Sequence, residues 1–139
     1  MDVHVSFWAV LAAAVSAMVV GSIWYSPKTF APAWIKLARI DTSKNRGSIA
    51  RPMIISFIVC LITAYVLAHV AYIANQFFHH SFLHDSIVTA LWLWLGLTAA
   101  RFVTHDAFEG RPAMLTVLNT GCELVTLVVM GLLIGLIGS

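Results

Sequence analysis

Four stretches of this chain, Val5–Tyr25, Pro52–Ala74, Asp85–Thr104 and Pro112–Ile137, stay apolar for about the length a helix needs to cross a bilayer. In hydrocarbon every backbone N–H and C=O must find a partner within its own segment, so each run is expected to be a helix. A membrane barrel would need short segments of alternating polarity, which the sequence lacks. Composition agrees: 60% of the 139 residues are hydrophobic and only 10% are charged. A water-soluble domain carries about a quarter charged residues. The expected fold is therefore all-α: four transmembrane helices in an antiparallel bundle, forming one domain over residues 1–139.

Basic residues set the expected orientation. Lys28, Lys36, Arg39, Lys44, Arg46 and Arg51 belong to the first connection, and Arg101 and Arg111 flank the third. The second connection and both ends carry no Lys or Arg. This side is expected to face the cytoplasm of a cell (inner) membrane, with both termini outside. The charge pattern thus describes topology and points to no nucleic-acid partner. Asp2 and His4, not a basic segment, precede the first run, which is expected to remain as an anchor rather than be cleaved. Cys60 and Cys122 lie inside apolar runs and read as small buried hydrophobes, not as a disulfide framework.

Small residues mark packing faces. Ala9, Ala13, Ala17 and Gly21 recur every four residues, and Gly131 and Gly135 form a second pair; such spacing lets helix backbones approach closely. A homodimer is expected, since one four-helix bundle should not bury every such face. Ser26-Pro27 ends the first helix. Phe30, Trp34 and Leu37 then recur at helical spacing, with Pro32 near a helix start. This predicts a short amphipathic helix over about 31–40, lying in the cytoplasmic interface.

Polar residues within the runs are the candidate sites. Thr116, Asn119, Thr120, Glu123 and Thr126 fit one face of the last helix. Glu123 is about 11 residues into that helix, about 16 Å along its axis and near the bilayer midplane. An ionisable group there is a functional candidate; the plainer reading is a protonated acid gluing helices together. Thr63 and Trp94 should be level with it, and one of Thr63, Trp94 or Asn119 is expected to hydrogen-bond it. Trp94, Thr98, Arg101 and His105 form a further stripe. Because the first helix ends where the last begins, Trp24, Tyr25 and Ser26 are expected near Glu109 and Arg111 on the cytoplasmic face. That cluster reads either as an anion site at a helix N-terminus or as a clamp between hairpins. In the second connection, His79, His80 and His84 with the adjoining Asp85 offer imidazole ligands suited to zinc or copper. They match no closed metal site, and a metal-free loop is the plainer reading. No cofactor is expected.

Taken together, Trp24-Tyr25-Ser26-Pro27, Trp34-Ile35-Lys36-Leu37, Phe108-Glu109-Gly110-Arg111-Pro112, Leu118-Asn119-Thr120-Gly121 and Val129-Met130-Gly131 resemble the "domain of unknown function 1761" family. The resemblance runs over nearly the whole chain, in order. It implies a small four-span membrane protein of prokaryotic type and no assigned activity. Where the family pattern continues from that Gly121 with an aromatic residue and often a histidine, this chain has Cys122 and Glu123.

Two functions from different classes follow. One is a dimeric transporter or proton-coupled permeation unit for a small molecule or ion, with Glu123 as the titrating group. The other is a non-catalytic membrane scaffold or accessory subunit. A third class, a membrane enzyme or redox carrier, is not expected, since no helix presents a nucleophile–base pair and His69 has no evident level partner for haem.

Overall fold

The computed structural model describes residues 3–43 and 47–138, so Lys44 and Arg46 of the basic set lie outside the described residues. The elements are α1 (Phe7–Trp24), α2 (Ala31–Leu37), α3 (Ala50–Phe78), α4 (Phe82–Leu93), a π-helical segment (Trp94–Ala99), α5 (Ala100–Phe108) and α6 (Ala113–Ile137). The described residues contain no strand. α4, the π segment and α5 run on as one helical span, Phe82–Phe108, and with α1, α3 and α6 this makes four helices long and apolar enough to cross a membrane. The protein is therefore a multi-pass membrane protein in contact with lipid.

Local chemistry places the ends. Ser6 caps α1 by accepting from the Ala9 N–H. At the other end of α1, the Thr29 hydroxyl donates to the Trp24 carbonyl at 2.6 Å, giving a partner to a backbone oxygen that the helix leaves free. α3 runs four residues past the expected Ala74 and stops at His79, whose φ of 57° is left-handed. Ser81 then caps α4 by accepting from His84 N–H. The second connection, expected over Asn75–His84, is thus cut to 79–81, and His84 and Asp85 sit in the first turn of a helix rather than in a loop. α2 is helical over Ala31–Leu37, shorter than expected, and the chain turns at Arg39 with φ 52°.

α1 packs against α3 and α6, and α4 packs against the same two. A Cβ added to Gly138 would lie 3.6 Å from the Ala9 Cβ, and one added to Gly121 would lie 3.3 Å from the Trp24 ring, so α1 and α6 run in opposite directions. Gly135 lies beside Leu83 and Gly131 beside Ser86 and Ala90, which gives α4 and α6 the same opposed sense. The described Lys and Arg residues all fall at or toward one end of the bundle; the two termini and the α3–α4 turn form the other.

The core is built of small residues around a few large ones. Ala13, Ala14, Ala64 and Ala90 are fully buried, with Leu67, Leu127, Met130 and Ile134 between them. Lipid tails are as apolar as leucine, so close backbone packing must supply what the hydrophobic effect supplies in water. Ala9, Ala13, Ala17, Gly131 and Gly135 are all buried inside one chain. The stripes from which a dimer was expected are therefore occupied within the chain itself. Gly21 is the exception, with nothing within 4 Å of an added Cβ.

Beyond the π segment the third span separates from α3 and packs mainly on α6. The first two turns of α3 accordingly lie open, from Arg51 to Ser56.

Gly135 has room for no side chain: an added Cβ would stand 2.6 Å from Leu83 Cα. Gly135→Ala should destabilise the bundle by about 1–3 kcal/mol, as overpacking does. Gly21→Ala should stay within about 0.5 kcal/mol of the parent. Unfolding of both variants in mixed micelles measures the difference, and equal stabilities would contradict the close α4–α6 contact.

Candidate functional site

The expected single stripe on α6 divides between two neighbours. Thr116 is buried and donates to Asp106 Oδ2 of α5 at 2.6 Å. Asn119, three residues on, turns to α1 and α2, where its Oδ1 accepts from Tyr25 OH at 3.2 Å and from Trp34 Nε1 at 3.1 Å. Successive helix residues are about 100° apart, so a stripe including both Asn119 and Thr120 is wider than one interface. The Thr120 hydroxyl bonds back to Thr116 O, while its carbonyl accepts from Trp94 Nε1 at 2.8 Å. Thr126 lies beside the Cys122 thiol, and Thr63 is half-buried on α3.

Glu123 is half-buried, facing the side where the third span separates from α3. None of the three expected hydrogen-bond donors reaches it. Trp94 is held by Thr120, Asn119 by Tyr25 and Trp34, and Thr63 makes no bond to it among the described residues. Instead Glu123 lines a groove of about 470 Å³ that runs along the π segment and α5. Leu97, Thr98, Arg101 and His105 form one wall, and Asp106, Glu109 and Arg111 lie at its end. Arg101 and Glu123 share this groove with no ion pair between them among the described residues. π-Helical turns often accompany functional sites, because the widened turn re-aims side chains.

The end of the groove is a tight polar corner. Gly110, with φ 66°, takes a backbone conformation that side chains disfavour, and Arg111 N–H then donates to Asp106 O at 2.9 Å. The Arg111 guanidinium bonds the Glu109 carboxylate and lies 3.8 Å from Asp106 Oδ1. Asp106 therefore joins Arg111 to Thr116, linking α5 to α6. Sequence reading missed Asp106, which it placed in a connection. The signal available was its position ten residues before Thr116, across a tight glycine turn.

The expected cluster of Trp24, Tyr25 and Ser26 with Glu109 and Arg111 separates into two joints. Arg111 and Glu109 serve the α5–α6 corner. Tyr25 packs edge-on against Trp34, Trp24 against Phe30, and the Ser26 hydroxyl pairs with that of Thr29. Tyr25 donates its hydroxyl to Asn119 Oδ1. At the opposite end of the bundle, His80 and His84 converge on Asp85 through Nδ1 contacts of 3.1 and 3.2 Å to one carboxylate oxygen, while His79 forms the helix cap.

Asn119 holds both α2 and the end of α1, so Asn119→Ala should cost about 1–3 kcal/mol by leaving two donors unpaired. Tyr25→Phe removes one of the two bonds and should cost less. The emission of Trp34 should move to the red in Asn119→Ala, measured in a chain whose other tryptophans are replaced by phenylalanine. An unmoved spectrum would show that α2 docks without Asn119.

Neither a curated protein nor a solved structure matches the chain. A family model does, over residues 8–135, almost the whole length. That region contains all five segments from which the resemblance was read, and the structure brings three of them together where Tyr25 and Trp34 meet Asn119. The chain belongs to the DUF1761 family, described as proteins of unknown function.

Proposed function

We propose that this protein moves protons, or a small polar solute coupled to them, through the membrane, with Glu123 as the titrating group. The observation that carries this reading is the groove, which joins a carboxylate near the middle of α6 to the end of the bundle that holds Arg111. Its walls offer a chain of groups able to hold a proton or a polar solute: Glu109, His105 and Glu123, with Arg101 and Arg111 as fixed positive charges. On the far side of Glu123, Leu127, Met130 and Ile134 close the core. This arrangement corresponds to a state open toward the basic end, and passage requires that core to part.

Reconstitution tests the reading. Liposomes carrying the protein and an imposed pH gradient should dissipate it faster than protein-free liposomes. Glu123→Gln should bring the rate down to the protein-free value, and Glu123→Asp should restore part of it. Wild-type protein that leaves the gradient as stable as bare lipid would refute proton movement.

A scaffold or accessory subunit is the second reading. It is favoured by the joints themselves, since Tyr25 and Trp34 both donate to Asn119, and Thr116 donates to Asp106. A homodimer suits either function, because a second copy could cover the open turns of α3 and the gap beside α5. Crosslinking from Met53→Cys in native membranes should trap such a dimer, and its absence there and in bilayer mass measurements would exclude one.

The basic end is assigned to the cytoplasm, from the distribution of Lys and Arg. Ser43→Cys should therefore resist an impermeant maleimide applied outside intact cells and react once they are opened. Labelling in intact cells would reverse the orientation.

A further inference from the structure

The end of the bundle opposite the groove holds a buried carboxylate with an unusual set of neighbours. Asp85 is 4% exposed. A buried anion is stable only when paired. The described Lys and Arg residues all belong to the other end, and the contacts to Asp85 come from two imidazoles and one amide. His80 Nδ1 and His84 Nδ1 stand 3.1 and 3.2 Å from the same oxygen, Oδ1. The other oxygen, Oδ2, accepts from Asn75 Nδ2 at 2.8 Å. Asn75 also donates to the His80 carbonyl at 2.8 Å, so one side chain on α3 fixes both the carboxylate and the backbone of a histidine.

We propose that His80, His84 and Asp85 bind a divalent transition-metal ion of the zinc type, with Asn75 as the residue that positions the carboxylate. The three donor atoms lie within 4.8 Å of one another. Ligand atoms at about 2.0–2.1 Å from a tetrahedral ion stand about 3.3 Å apart, close to the two His–Asp separations present here. Two imidazoles and a carboxylate suit a borderline ion; magnesium and calcium prefer oxygen alone. Three protein ligands leave at least one position for water. The ion has a path from solvent, since the His80 and His84 side chains are 55% and 57% exposed. The second carboxylate oxygen is bonded from behind, as at metal sites where an outer hydrogen bond orients the ligand. The ring of His80 is steadied by stacking on Phe78 at 6.0 Å and 8°. A divalent ion would also neutralise Asp85, which neutral imidazoles do not.

Tag-free, chelator-stripped protein in zwitterionic nanodiscs, titrated with Co²⁺, tests the site. One equivalent per chain should bind, with visible d–d absorption that Zn²⁺ abolishes and equimolar Mg²⁺ leaves unchanged. His80→Ala and His84→Ala change exposed side chains, should keep the fold by circular dichroism, and should each weaken Co²⁺ binding at least tenfold. Asn75→Ala should weaken it about 10- to 100-fold, as loss of an orienting partner does. His79→Ala and His4→Ala should match the parent. Binding in the His80→Ala/His84→Ala double variant as tight as in the parent would overturn the proposal. So would Mg²⁺ competing as well as Zn²⁺, or no Co²⁺ bound at all.

Discussion

The contact between α4 and α6 is so close that no side chain fits at Gly135, where Leu83 backbone takes the space. Much of the bundle follows from the register this sets. With Gly135 at Leu83 and Gly131 at Ser86, Trp94 arrives opposite Thr120 and Asp106 opposite Thr116. α1 also packs on α6, where Ala9 comes to 3.6 Å from a Cβ added at Gly138 and the Trp24 ring to 3.3 Å from one added at Gly121. In lipid this is the main source of cohesion, because burying leucine against leucine gains little over burying it in acyl chains. The polar joints come second: they fix rotation and ends once the backbones are close.

The two ends of the molecule differ in chemistry. At the basic end the third span leaves α3 after its π-helical turn, and a groove with charged walls reaches inward to Glu123. At the other end the helices stay close, and the polar groups are gathered into one small knot of imidazole, carboxylate and amide. A carboxylate near the middle of α6 beside a groove at one end, and a His–Asp cluster at the other, give the chain a polarity from end to end. That polarity is finer than the distribution of lysine and arginine alone.

The four spans were legible in the sequence from the length of their apolar runs, and the small-residue faces from their four-residue spacing. Partners were not. Spacing says that Asn119 shares a broad face with Glu123, but the neighbour it meets depends on how α1 and α2 fold back. Asn119 therefore went to Tyr25 and Trp34 instead of to the carboxylate. Asp106 was hidden for the same reason: Thr116 reaches it only after the turn at Gly110 closes. The histidines near Asp85 could be seen as a group, but the cap at Ser81 that carries His84 into a helix and leaves His79 out of the cluster could not. The glycine and alanine stripes were legible as close-packing faces, but spacing alone left open whether the partner was the same chain or a second one; the structure fills them from within.

One simple property of the spans bears on where such a protein can reside. α1 has 18 residues, whereas α3, packed on it, has 29. At 1.5 Å per residue these are about 27 Å and 43 Å, against a hydrocarbon core of about 30 Å. The short helix has no length to spare and must stand close to the membrane normal. The long one is held alongside it and is not free to absorb its excess by leaning over. The charge of Arg51 favours an interfacial place for its first turn. Hydrophobic mismatch of this kind sorts proteins among membranes. α1 fits a thin bilayer without strain, and in a thick, sterol-rich one the lipid around it must thin locally.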